Sequence, residues 1–180
     1  MAEGGSAWPD TLGLLAVAAL LGSDSGSGYP TETQVRRSIS TSYYAAFHAL
    51  VSRCAAILGH GEADVGRSVA RVIEHRTLVN AATWIVEGRV VGRSPHVRMA
   101  GQPLVAEAAA DMAVVAAASA FCNLQDARMI ADYGKMVKAD QAVAEYFHGG
   151  AVEVIDVVSS ESPAMRRAVD AWCRLVWVAR

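Results

Sequence analysis

The chain has 180 residues, which is enough for one sizeable hydrophobic core and too short to need two. Sixteen Lys and Arg stand against 18 Asp and Glu, giving a formal net charge of -2, so coating nucleic acid through bulk positive charge is excluded. Cys54, Cys122 and Cys173 are widely separated, sit in apolar surroundings and form no Cys-x-x-Cys pair; a disulfide scaffold is excluded and a reduced, cytoplasmic protein is expected.

The first element in chain order is a helix from Thr11 to Leu21, capped by Pro9-Asp10 and ended by Gly22. Its apolar run is about half of the roughly 20 residues that span a bilayer. No Lys or Arg precedes it, and Glu3 and Asp10 flank it, so neither a membrane anchor nor a secretory signal is expected. The Gly/Ser-rich stretch 22–28 reads as a flexible linker. Residues 1–34 thus form an N-terminal helix and linker, and 35–180 a helical bundle with an extra helix at its C-terminal end.

A long helix is expected from Glu32 to about Leu58, stopped by Gly59-His60-Gly61. At about 3.6 residues per turn, Arg37, Thr41, Tyr44 and His48 share one side. Ile39, Tyr43, Ala46, Phe47 and Leu50 share the other, an ordinary buried face. A guanidinium, hydroxyls and an imidazole in a row could hold a phosphate, or could simply brace neighbouring helices. A second long helix is expected from about Val65 to Val86, with Val69, Val72, Ile73, Leu78 and Trp84 inward and Arg67, Arg71, His75 and Arg76 among its polar positions.

Gly88, Gly92, Pro95, Gly101 and Pro103 argue for a long loop over 88–103, carrying Arg89, Arg93, His96 and Arg98. An alanine-rich helix from about Leu104 to Tyr133 follows, apolar enough for the centre of a bundle or a dimer interface. A helix over about Ala139 to Val158, disturbed at Gly149-Gly150, comes next. The last starts at Ser162-Pro163 and turns Ala164, Val169, Trp172, Leu175 and Val176 inward. Strand-like alternation is essentially absent, so the expected fold is an all-α, up-and-down bundle of about five to six helices.

Charge is unevenly distributed along the chain. Nine arginines between Arg36 and Arg98 face four acids (Glu62, Asp64, Glu74 and Glu87), and arginine far outnumbers lysine, which occurs only at Lys135 and Lys138. Arginine's planar fork suits phosphate, although a G- and C-rich genome gives the same bias. No cluster has metal-ligand spacing, no Gly-rich phosphate loop follows a strand and no Gly-x-Ser-x-Gly is present, so no cofactor is expected.

Three segments then resemble one family. Arg36-Arg37-Ser38-Ile39-Ser40-Thr41-Ser42-Tyr43-Tyr44-Ala45-Ala46-Phe47-His48 resembles the Arg-Arg-x-x-Ser-x-x-Tyr-Tyr-Ala-x-Phe-His helix of one branch of the HEPN domain. Leu124-Gln125-Asp126-Ala127-Arg128-Met129-Ile130-Ala131-Asp132-Tyr133 resembles that branch's Leu-Gln-x-x-Arg-x-x-Ala-Asp-Tyr, and Arg71-Val72-Ile73-Glu74-His75 its Arg-Ala-Leu-Glu-His element. The resemblance covers roughly residues 35–158. It implies a small helical bundle linked to toxin–antitoxin and defence systems, acting as a homodimer, with an antitoxin or nucleotidyltransferase as a partner and RNA or a nucleotide as ligand.

Active members of that family are metal-independent endoribonucleases with an Arg-x(4 to 6)-His motif completed across the dimer. Arginine stabilises charge developing on the scissile phosphate, and a histidine titrating near neutrality moves protons at the 2'-hydroxyl or the leaving oxygen. In this chain Tyr133 stands where the histidine is expected, and a phenol with a reference pKa of about 10 is a poor base at neutral pH. The pairs Arg53/His60 and Arg89/His96 have the nominal spacing, but chance supplies as many, and Gly92 and Pro95 interrupt the second.

The resemblance therefore implies a degenerate or weakly active site. Its catalytic positions are Arg128, Asp132, Tyr133, His75 and His48; its binding positions are Arg37, Ser40, Thr41, Tyr44, Arg71 and Arg76. Arg128 and Asp132 also read simply as an i,i+4 ion pair. Two other functions stay open: an active endoribonuclease toxin in which His48 or His75 moves the proton, and an inert scaffold that dimerises or docks a partner through its apolar third long helix.

Overall fold

The computed structural model of the chain describes residues 10–23, 28–134 and 140–180. It is an all-α bundle, with eight helices and no strand among the described residues: α1 (Thr11–Gly22), α2 (Glu32–Leu58), α3 (Ala63–Val72), α4 (His75–Glu87), α5 (Pro95–Ala108), α6 (Met112–Tyr133), α7 (Gln141–Val158) and α8 (Pro163–Val178). The expected Gly/Ser linker lies largely over 24–27, and Lys135 and Lys138 within 135–139, outside the described residues.

The helix count exceeds the five to six expected because two of the predicted elements are divided and one predicted loop is helical. The helix expected over 65–86 breaks at Ile73 and Glu74, both in extended conformation. The break lets Ile73 bury its side chain while α4 starts afresh at His75. Breakers also misled the reading of 88–103: Pro95 is the first residue of α5, where its missing N–H costs nothing. Gly101 faces the bundle, where an added Cβ would lie 2.8 Å from Val90 Cγ2 and 3.4 Å from Leu175 Cδ1, so the bare glycine lets α5 close onto α8. Pro103 is accommodated inside the helix.

The helix expected over 104–133 is divided: 104–108 belong to α5, and α6 begins at Met112. Asp111 caps it by accepting from the Ala113 N–H at 2.9 Å, and the chain bends by 114° between α5 and α6. α7 runs unbroken through Gly149-Gly150, and in α8 Val169, Trp172, Leu175 and Val176 are buried whereas Ala164 is exposed.

Ends and beginnings follow ordinary capping chemistry. Asp10 caps α1 through the Gly13 N–H, and Thr31 and Gln34 form a reciprocal capping box at the start of α2. α2 is the axis of the molecule, packing against α1, α3, α6, α7 and α8. Its inward face buries Ile39, Tyr43, Ala46, Phe47 and Leu50, joined in the core by Leu78, Phe121, Trp172 and Leu175. A smaller cluster of Val35 and Ile39 from α2, Ala127 and Ala131 from α6 and Ala144 from α7 brings the first half of α2 against the end of α6. Among the described residues no single helix is long and apolar enough to cross a membrane.

Candidate functional site

The alanines at 127 and 131 have almost no side chain to hold α6 away from α2, so polar groups flanking this contact come within bonding distance. Ser40 Oγ donates to Asp132 Oδ1 at 2.5 Å, and Arg128 Nη2 donates to the Tyr44 hydroxyl at 2.8 Å. Arg128 Nε lies 2.8 Å from Asp132 Oδ2 as an i,i+4 ion pair; its N–H has no aligned hydrogen-bond acceptor, so the contact is chiefly electrostatic. From the other side, Arg36 Nη1 donates to the carbonyls of Ala131 and Gly134 at 2.9 and 3.0 Å, holding the last turn of α6 to α2, while its Nε pairs with Glu32.

These contacts form the wall of an open cavity of about 530 Å³ lined by Thr33, Arg36, Arg37, Ser40, Tyr44, Arg128, Ala131, Asp132 and Tyr133. Three arginines face one carboxylate there. Arg37 is exposed, and its guanidinium has no hydrogen bond or ion pair among the described residues. Arg128 is largely covered, with 14% of its side chain exposed. Burial works against its charge, but the Tyr44 hydroxyl, Asp132 and Tyr133 more than offset it, and its pKa lies above the ordinary arginine value. N–H groups on both its terminal nitrogens remain unused. Its guanidinium carbon lies 5.5 Å from the Tyr44 ring centre and 5.7 Å from that of Tyr133, which is 75% exposed at the rim.

Beneath this wall is a cluster of rings. Tyr43 is fully buried and its hydroxyl meets His75 Nδ1 at 2.5 Å. His75 stacks on Phe47 with ring centres 4.1 Å apart, and Tyr44 stacks on His48 at 6.4 Å. Burial lowers the pKa of His48. Burial, then Arg128 and His48, lower that of His75, so both imidazoles are predominantly neutral at pH 7. Burial likewise pushes the Tyr43 phenol far above its usual range, although Arg128 pulls it part of the way back.

Of the residues singled out from sequence, Arg37, Ser40, Tyr44, Arg128, Asp132 and Tyr133 meet at the cavity. His75 joins the cluster behind it. His48 is one turn further along α2, against Tyr44 and Phe47, and does not line the cavity. Thr41 turns back on its own helix and donates to the Arg37 carbonyl at 2.7 Å. Arg71 and Arg76 are exposed at the end of α3 and the start of α4, with no hydrogen bond or ion pair among the described residues.

Sequence reasoning missed Arg36, Thr33 and the polar role of Tyr43. The line that faces α6 is Arg36, Ser40 and Tyr44, at i, i+4 and i+8; it shares Tyr44 with the stripe expected at Arg37, Thr41, Tyr44 and His48 but takes Arg36 and Ser40 in place of Arg37 and Thr41. That spacing was present in the sequence. Nothing in the sequence distinguished Tyr43 from the other core aromatics.

Comparison with protein-family models, with curated proteins and with solved structures returned no match. The functional reading therefore rests on the chemistry of the cavity and the motif segments. A space of this size takes a nucleotide-sized ligand. Its guanidiniums suit phosphate oxygens, and the exposed Tyr133 ring offers a face on which a base can stack.

Proposed function

We propose that this is a HEPN-type protein that binds RNA or a nucleotide through phosphate contacts in the cavity between α2 and α6, with weak or no ribonuclease activity. The observation that carries the reading is the convergence of Arg36, Arg37 and Arg128 with Tyr44 and Tyr133 on one open cavity. The resemblance supports it further: two of its three motif segments lie on α2 and α6, the helices that build this cavity. Loss of strong cleavage follows from Tyr133 in the expected histidine position. The three free cysteines fit a reducing, cytoplasmic setting.

In this reading the protein acts as a homodimer within a toxin–antitoxin or defence-type system, with an antitoxin or nucleotidyltransferase as partner. The exposed Met112, Met129 and Ile130 on α6 supply apolar surface for such association. The test is anisotropy of a labelled mixed-sequence RNA and a labelled nucleotide at low salt. Binding of either, weakened on changing Arg37, is expected; binding of neither would remove the proposal.

A second reading is a metal-independent endoribonuclease. What favours it is the presence of two neutral imidazoles, His48 and His75, in the ring cluster beside Arg128. RNA cleavage in EDTA that disappears in Arg128→Ala would establish it, and intact RNA with wild-type protein would dismiss it.

A further inference from the structure

Tyr43 and His75 make a contact whose direction the surroundings decide. The Tyr43 hydroxyl is buried, and His75 Nδ1, 2.5 Å away, is its hydrogen-bond partner among the described residues. The imidazole is clamped: Phe47 stacks on it, and the Tyr44 ring meets it edge-on with centres 6.0 Å apart. A buried hydroxyl left without an acceptor for its hydrogen is costly, so the phenol must donate to the one acceptor within reach. The reverse arrangement, with Nδ1–H donating to the phenol oxygen, would leave the hydroxyl hydrogen with no acceptor among the described residues. A neutral imidazole that accepts at Nδ1 carries its proton at Nε2.

We infer that Tyr43 is a positioning residue: it locks His75 as the neutral Nε2–H tautomer, so that the ring offers a hydrogen-bond donor at Nε2 and its Nδ1 is barred from acting as a base. Two features support it. Arg128 and His48, the charged and titratable groups that act on His75, both oppose a charge on it. The phenol hydrogen already occupies the side on which a second ring proton would have to sit. His75 Nδ1 is then unavailable as a proton acceptor in any cleavage reaction.

The experiment is long-range 1H–15N correlation of the histidine rings in the 15N-labelled full chain near neutral pH, without ligand. The expected spectrum shows His75 protonated at Nε2 and bare at Nδ1; in Tyr43→Phe the two tautomers mix and His75 titrates at a higher pH than in wild type. A wild-type ring protonated at Nδ1, or averaged between tautomers, would overturn the lock, as would a Tyr43→Phe spectrum unchanged from wild type. If Tyr43→Phe does not fold, the wild-type spectrum alone still decides.

Discussion

Replacing Arg37 by Ala should separate binding from stability more cleanly than any other change at the cavity. Arg37 is exposed and unpaired among the described residues, so its removal should leave the unfolding free energy within about 0.5 kcal/mol of wild type. A hydrogen bond to a charged partner contributes about 1.5–3 kcal/mol, so loss of one phosphate contact should weaken RNA binding roughly 10- to 150-fold. The slope of log K against log salt should also fall by about 0.7, the value for one phosphate of a single strand. Arg128→Ala is the instructive contrast. It strips Asp132, whose side chain is 22% exposed, of its cation and Tyr44 of its donor, so about 1–3 kcal/mol of stability should go with the binding. Anisotropy titrations over a salt series, beside urea melts of both variants, make the measurement. An Arg37→Ala protein with wild-type affinity and salt slope would show that no phosphate is held there.

Two glycines should respond oppositely to alanine. At Gly59 the new Cβ would lie 2.6 Å from the Ala55 carbonyl oxygen and 2.8 Å from the Gly66 backbone nitrogen, so the last turn of α2 must distort and α3 must move away, and a loss of about 1–3 kcal/mol is expected by urea melt. At Gly149 nothing lies within 4 Å, and replacing a mid-helix glycine should raise stability by about 0.5–1 kcal/mol. Leu50→Ala, at a fully buried position in the centre of α2, should cost about 2–5 kcal/mol in the same assay. Stability should also depend on pH through His48 and His75. Both have pKa values below the ordinary 6.5, so the unfolded chain binds more protons under mildly acid conditions; their contribution is complete above about pH 6.5 and is lost as pH falls through the folded-state values. Urea melts across that range should show the decline, and His48→Gln should make it shallower.

The all-helical class and the buried face of α2 were legible because 3.6-residue periodicity is a direct imprint of burial. The breaks were not. Val69, Val72 and Ile73 keep helical spacing right up to the break, and Glu74 makes no side-chain cap to announce a new helix. Conversely, Gly101 and Pro103 look like breakers, yet the first is required by the closeness of α5 to Val90 and α8 and the second sits within the helix. At the cavity, Arg128 and Asp132 could be paired from their spacing alone. Arg36 could not be assigned, because its partners are main-chain carbonyls almost a hundred residues away, and backbone acceptors leave no mark on residue type.

The joint at Ile73-Glu74 has a mechanical consequence. Along a continuous helix, each residue inserted or removed turns everything beyond it by about 100°, and any shift of α3 against α2 would be passed rigidly to His75. Two extended residues transmit neither rotation nor thrust. A small rotation of α3 about its own axis can therefore be absorbed at the joint while the imidazole keeps its register against Tyr43 and Phe47.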